Sequence, residues 1–280
     1  MFDNLGGRRH SLSGKQLRLS RIFAATTRRA LVVPIDHSVT VGPLGSSDHA
    51  DNTAELLARA GADALIVHKG RARTIDPWRF GSLGLIMHLS AGTNLSIDRT
   101  GKVLVGSVEE CLGLGADAVS VHVNVGSASE PQQLADLGNV ATECGRLGVP
   151  LLAMMYARGP EIGDDATSVR TLAHLAAIAT DLGADLVKLD YAGSPEQMNE
   201  VVDSCPLPLL VAGGPVADSD DDAVAFGLEV ASSRVAGLSF GRQIFGAEQP
   251  HRVAAALAEH LHAGTGPPRS LTSAPTLELA

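Results

Sequence analysis

Eight short, almost continuously apolar runs punctuate this chain. They are Leu31–Ile35, Ala64–Val67, Gly84–Met87, Ala118–Val121, Leu151–Met155, Leu186–Leu189, Pro208–Val211 and Gly237–Phe240. A strand with one wet face alternates apolar and polar residues, whereas an unbroken apolar run reads as a strand buried on both faces. Helical periodicity fills most of the gaps, over Ala50–Ala60, Val108–Leu114, Pro131–Leu147, Ala166–Leu182, Ser194–Ser204 and Asp220–Ala231, with a last helix at about Pro250–Leu261. The gap from Arg71 to Ser82 holds Pro and Trp and shows no clear helix. Strand–helix alternation eight times over predicts an α/β protein with a single (β/α)8 TIM barrel. An open doubly wound sheet would want a GxGxxG opening a helix after the first strand, and none is there.

A repeated step leads from helix into strand: Gly61-Ala62-Asp63, Gly115-Ala116-Asp117 and Gly183-Ala184-Asp185. Glycine can close a helix in the left-handed conformation and feed the next strand. The barrel is expected to span residues 31–263. Residues 1–30 are expected to form an N-terminal arm and a short helix packed on a barrel end, the helix carrying Leu17, Leu19, Ile22 and Phe23 among basic residues read as a solvated face. The Pro/Ser/Thr-rich tail, 264–280, is expected to be disordered. A net charge of −9 argues against general nucleic-acid binding, though not against a local cationic pocket. No apolar run is long enough to span a membrane. Cys111, Cys144 and Cys205 are scattered without a CxxC, which suits a reducing, cytoplasmic setting.

The stretch ADLVKLDYAG, residues 184–193, puts a lysine inside one of the apolar runs. Period-2 alternation sets Leu186, Lys188 and Asp190 on one face. Burial disfavours a lysine's charged form, and a neutral amine attacks carbonyls. A salt-bridged structural lysine, or a misread edge strand with Lys188 in water, is the competing reading. In a barrel of this type the active site lies at the C-terminal ends of the strands, and here those ends are polar: Asp36-His37, His68-Lys69, His88, His122, Tyr156-Ala157-Arg158, Lys188, Gly213-Gly214 and Gly241-Arg242. The two glycine-bearing ends after strands seven and eight sit where such barrels bind phosphate, and Arg242 would add a charged fork. A lysine, a carboxylate (Asp36) and a phenol (Tyr156) facing one pocket are what Schiff-base aldol chemistry needs. The histidines raise zinc as a rival, but no HxH or HExxH spacing occurs.

With these residues in view, the chain resembles the archaeal-type class I aldolases, and among them the 2-amino-3,7-dideoxy-D-threo-hept-6-ulosonate synthases. The resemblance rests on PIDHSVTVGP (34–43), VHKG (67–70), IMHLSAGT (86–93), GADAVSVHVNVGS (115–127), LLAMMYARG (151–159), ADLVKLDYAG (184–193), VAGGP (211–215) and GRQIF (241–245), in order along nearly the whole barrel. It implies Lys188 as the Schiff-base lysine, Tyr156 as the acid/base tyrosine and Asp36 as the general acid/base. It also implies a phosphate site at Gly213, Gly214, Gly241 and Arg242. His37, Lys69, His88, His122 and Arg158 are the further substrate-contact candidates. Where the family carries Tyr-Thr-Gly after the lysine, this chain has Tyr191-Ala192-Gly193, and Asp190 also departs from the pattern.

The resemblance further implies a metal-independent reaction with no cofactor. The acceptor would be L-aspartate 4-semialdehyde, and the three-carbon donor would come from a ketose phosphate or dihydroxyacetone phosphate. The seven-carbon amino keto acid would feed dehydroquinate or aminohydroxybenzoate formation. It implies a ring-like homo-oligomer, such as a decamer, with no nucleic-acid or membrane partner. The rivals are a fructose-bisphosphate aldolase, a thiolase-like member of the superfamily that cleaves a sugar phosphate, and a non-catalytic barrel that binds one.

Overall fold

The computed structural model describes residues 13–263; the arm at 1–12 and the tail at 264–280 lie outside the described residues. The eight expected strands are present as β1 (Ala30–Pro34), β2 (Ala64–Val67), β3 (Gly84–His88), β4 (Ala118–Val125), β5 (Leu151–Ala157), β6 (Leu186–Leu189), β7 (Leu209–Ala212) and β8 (Gly237–Ser239). All pair in parallel, and β1 closes on β8 through Ala30↔Gly237 and Val32↔Ser239. A two-stranded antiparallel ribbon, Ser90–Ala91 with Val103–Leu104, rises beyond β3.

β4 and β5 run further than their apolar cores suggest. Their register continues through Val123↔Met155 and Asn124↔Tyr156 to Val125↔Ala157. His122, Asn124 and Tyr156 look like strand-ending residues in sequence, yet they alternate into the barrel mouth while the backbone ladder carries on beneath them.

Two apolar layers hold the barrel. Outward side chains such as Leu31, Leu65, Val187 and Phe240 pack against Leu57, Leu137, Leu175, Val201 and Leu257 of the surrounding helices. Serine caps fix where four of those helices start: Ser107, Ser168, Ser194 and Ser219 each accept from the backbone N–H three residues on. The expected helix from Ala166 begins three residues late, at Val169, because Ser168 is extended and caps it. The gap between β2 and β3 holds two single turns, Lys69–Ala72 and Pro77–Gly81.

The interior layer is Val32, Ile66, Ile86, Leu152, Met154, Leu186 and Leu210, closed at the N-terminal end by Ile22 and Phe23. A fully buried side chain of this size stabilises the fold by about 1.5–3 kcal/mol. The N-terminal segment is therefore a plug, and its basic residues are not simply a solvated face. Lys15 pairs with Asp185 at 2.7 Å and Arg21 with Asp117 at 2.7 Å. The Gly-Ala-Asp repeat explains these partners. Gly61, Gly115 and Gly183 are all left-handed, with φ of 78°, 87° and 90°. Each following aspartate then accepts the N–H near the start of the preceding strand: Asp63 from Leu31, Asp117 from Leu85 and Asp185 from Leu151.

Candidate active site

The C-terminal mouth of the barrel contains a cavity of two lobes. The larger, about 280 Å³, is lined by Asp36, His37, His68, His88, Lys102 and His122 among others. The smaller, about 70 Å³, is lined by Asp190, Gly213, Gly214, Ser239 and Gly241 among others. His37, Tyr156, Arg158, Lys188 and Arg242 border both.

Lys188 occupies this junction because of strand parity. Its register partners are Met154 on β5 and Leu210 on β7, both inward-facing. It is only 6% exposed and makes no ion pair with a described residue. That excludes the salt-bridged structural lysine within the described chain and leaves a buried amine opening onto both lobes.

Asp36 follows β1 and projects beneath the imidazoles. Its Oδ1 lies 3.3 Å from His37 Nδ1 and its Oδ2 3.7 Å from His88 Nε2. Burial opposes its ionisation, but His88, His37, Lys188 and His68 together outweigh burial and hold the carboxyl below the usual range. Burial pushes His88 down to about 4, and His122, His68 and His37 down as well. These rings are committed to structure: His68 Nδ1 to the His88 carbonyl at 3.0 Å, His88 Nδ1 to Ser120 Oγ at 2.9 Å, and His122 Nε2 to Asn124 Oδ1 at 2.8 Å. Among the described residues no group of three or more His, Cys, Asp or Glu is placed to hold a metal ion.

Tyr156 stands between the lobes. His122 stacks on it with centroids 4.8 Å apart, and the Arg158 guanidinium lies 4.7 Å from the ring centroid. Asp190, at the mouth of β6, is raised by burial against the opposing pull of Arg158 and Lys188.

In the smaller lobe Gly214 takes a left-handed φ of 65°, and Arg242 Nη2 donates to its carbonyl at 3.0 Å. Gln243, buried behind the lobe, donates to the Gly213 and Pro215 carbonyls at 2.8 and 2.6 Å and accepts from Ala217 N–H. Gly241 is there for closeness: a Cβ would stand 2.5 Å from the Pro34 carbonyl oxygen. Ser239 Oγ is buried without a hydrogen-bond partner among the described residues, so it offers an open hydroxyl.

This geometry suits covalent chemistry on a small phosphorylated carbonyl compound, and comparison with known proteins agrees. The DeoC/LacD family aldolase model matches residues 30–247. The chain belongs to the DeoC/LacD aldolase family. It is 45% identical over 249 residues to a 2-amino-4,5-dihydroxy-6-oxo-7-(phosphonooxy)heptanoate synthase of Streptomyces griseus, covering 89% of this chain and 90% of that one. It is 38% identical to the 2-amino-3,7-dideoxy-D-threo-hept-6-ulosonate synthase of Halobacterium salinarum, covering 94% and 97%. An archaeal fructose-1,6-bisphosphate aldolase, solved with its catalytic lysine bound to the carbinolamine intermediate, superposes with a TM-score of 0.79 at 27% identity, covering 89% and 99%.

The structure brings Lys188, Tyr156, Asp36, His37, His88, His122, Arg158, Gly213, Gly214, Gly241 and Arg242 to this one cavity. Lys69 is the exception. It opens the helical turn after β2, and its Nζ pairs with Glu110 at 2.7 Å, away from both lobes. His68, one of the polar strand ends and a member of the zinc rival in the sequence, also lines the cavity. Lys102 and Ser239 went unnoticed. Ser239 was open to the parity argument as an inward residue of β8, but Lys102 sits in a loop where no periodicity applies.

Proposed function

We propose that this chain is a lysine-dependent aldolase that joins L-aspartate 4-semialdehyde to a three-carbon donor, giving a seven-carbon amino keto acid. The observation that carries the reading is the buried Lys188 at the junction of a glycine- and arginine-lined lobe and an imidazole-lined one. The donor phosphate binds in the smaller lobe at Gly213, Gly214, Gly241 and Arg242, with Ser239 as a further donor. The Lys188 amine adds to the donor ketone, and the carbinolamine loses water to give an iminium. Loss of a proton from the adjacent carbon gives an enamine. The enamine carbon attacks the acceptor aldehyde, whose oxygen takes up a proton. Water then hydrolyses the product iminium and frees the amine. Asp36, ionised near neutrality, is the proton acceptor next to the lysine, and Tyr156 moves protons to and from oxygen at the junction.

Dihydroxyacetone phosphate is the favoured donor. Its addition to the four-carbon aldehyde gives a 4,5-dihydroxy-6-oxo-7-phosphonooxy skeleton with no leaving group, the constitution in the name of the 45%-identical relative. A ketose phosphate donor would add a preceding retro-aldol step that releases an aldehyde. The three buried free thiols fit a cytoplasmic setting. The exposed Leu95, Ile97 and Val103 near the mouth fit burial between subunits of a homo-oligomer.

Borohydride trapping with dihydroxyacetone phosphate, followed by peptide mass mapping, tests the reading. A reduced adduct on Lys188 is expected. Its absence under turnover conditions would overturn the Schiff-base mechanism and favour a barrel that binds sugar phosphates without reacting.

A further inference from the structure

The larger lobe holds a cation, Lys102, for which no ion-pair partner is found among the described residues. Lys102 lies between Gly101 and the ribbon strand Val103–Leu104, and its side chain lines the cavity. It reaches there because the facing position is glycine: a Cβ on Gly92 would stand 3.1 Å from Lys102 Cδ, 3.2 Å from Nζ and 2.3 Å from the Gly101 carbonyl oxygen. The facing stretch is pinned in turn. Thr40 Oγ1 donates to the Gly92 carbonyl at 3.1 Å, and Asn94 N–H donates to the Thr40 carbonyl at 3.0 Å.

Lys102 makes no ion pair with a described residue. Burial and the Arg158 charge both disfavour its protonated form, with Asp36 pulling the other way. Two cations, Lys102 and Arg158, thus border one lobe and repel each other in the free protein. An anion between them removes the repulsion and gains charge-assisted hydrogen bonds. The donor phosphate belongs to the other lobe, across Lys188, so this second anion belongs to the acceptor.

We infer that Lys102, with Arg158 beside it, binds the carboxylate of the acceptor aldehyde and thereby selects acceptors that carry an acid group at the end remote from the reacting carbon. This rests on the lysine-aldolase reading and adds the group that discriminates among its acceptors. Lys102 is a specificity residue; bond making stays with Lys188, Tyr156 and Asp36.

The full-length enzyme, Lys102→Met and Lys102→Arg are compared with dihydroxyacetone phosphate as donor. The acceptors are aspartate 4-semialdehyde, the neutral butanal and glyceraldehyde 3-phosphate. Lys102→Met is expected to lower kcat/KM for aspartate semialdehyde about 10- to 100-fold, mainly through KM, the usual worth of a hydrogen bond to a charged group. The loss with butanal is expected to be far smaller, and Lys102→Arg to recover part of the loss. Borohydride trapping of the donor on Lys188 should persist in both variants, which shows that they fold. Equal losses with aspartate semialdehyde and butanal, or no loss with the former, would overturn the assignment while leaving the lysine mechanism intact. A preference of the parent enzyme for glyceraldehyde 3-phosphate would also overturn it, making the anion site one for phosphate. Failure to trap the donor in the parent enzyme would instead sink the lysine reading and this inference with it.

Discussion

The imidazole of His122 lies over the phenol of Tyr156, 4.8 Å between centroids and 26° between planes. The imidazole is held by Asn124, whose Nδ2 donates to the Thr100 carbonyl at 2.7 Å. The phenol therefore has a fixed direction before any substrate arrives, as proton transfer in a covalent mechanism requires.

Tyr156→Phe keeps the stack and removes only the hydroxyl. Turnover is expected to fall by about 10²–10⁴-fold, the range for losing a positioned acid or base. Steady-state kcat beside an unchanged circular dichroism spectrum checks it; an unaltered rate would remove Tyr156 from the chemistry.

Lys188→Met should abolish turnover and leave stability equal or higher. The substitution replaces a buried, unpaired amine by an apolar chain of similar length among Met154, Leu186 and Leu210. Urea denaturation decides this: a marked loss of stability would mean that Lys188 is structural.

At the other end of the barrel, Asp117→Ala is expected to destabilise the protein by about 1–3 kcal/mol, since it leaves the Leu85 N–H buried without a partner. Arg21→Ala removes only the exposed half of the pair and should cost about 1 kcal/mol or less in charge pairing. Urea midpoints that rank the two variants the other way would contradict the strand-clamp role of Asp117.

Stability should fall on acidification through a definite window. Burial pushes His88 down to about 4 from an ordinary 6.5. Between those values the unfolded chain binds a proton that the folded chain does not, so stability is present above pH 6.5 and is lost as pH falls towards 4. His122, His68 and Asp36 shift in the same direction. At about 1.4 kcal/mol per pH unit, His88 alone accounts for up to about 3 kcal/mol. Urea midpoints at about pH 7 and about pH 4.5 measure the slope, and a flat dependence would mean that His88 is protonated in the folded state.

Much of this was legible beforehand because a strand's side chains alternate strictly. Once the apolar runs are taken as strands, parity alone puts Asp36, Tyr156 and Lys188 on the faces that prove to be inward. Parity lapses where strands end. Lys69 and His68 are neighbours, yet the helical turn sends the lysine out to Glu110 and leaves the histidine at the cavity. The Gly-Ala-Asp repeat could be read as a helix-to-strand step, but its aspartates act on neighbouring strands about thirty residues back.

The sequence by itself determined the eight-strand barrel, the buried lysine on its sixth strand and the glycine-bearing ends of its last two, because these follow from local periodicity and residue chemistry. Only the tertiary structure decided that Ile22 and Phe23, beyond the end of the short helix Gly14–Leu19, are the residues that close the barrel floor, that β4 and β5 run on beneath polar side chains, and that Lys102 reaches the cavity over Gly92. Each of these depends on contacts between residues remote in the chain or on the path of a loop, neither of which any repeat in the sequence encodes.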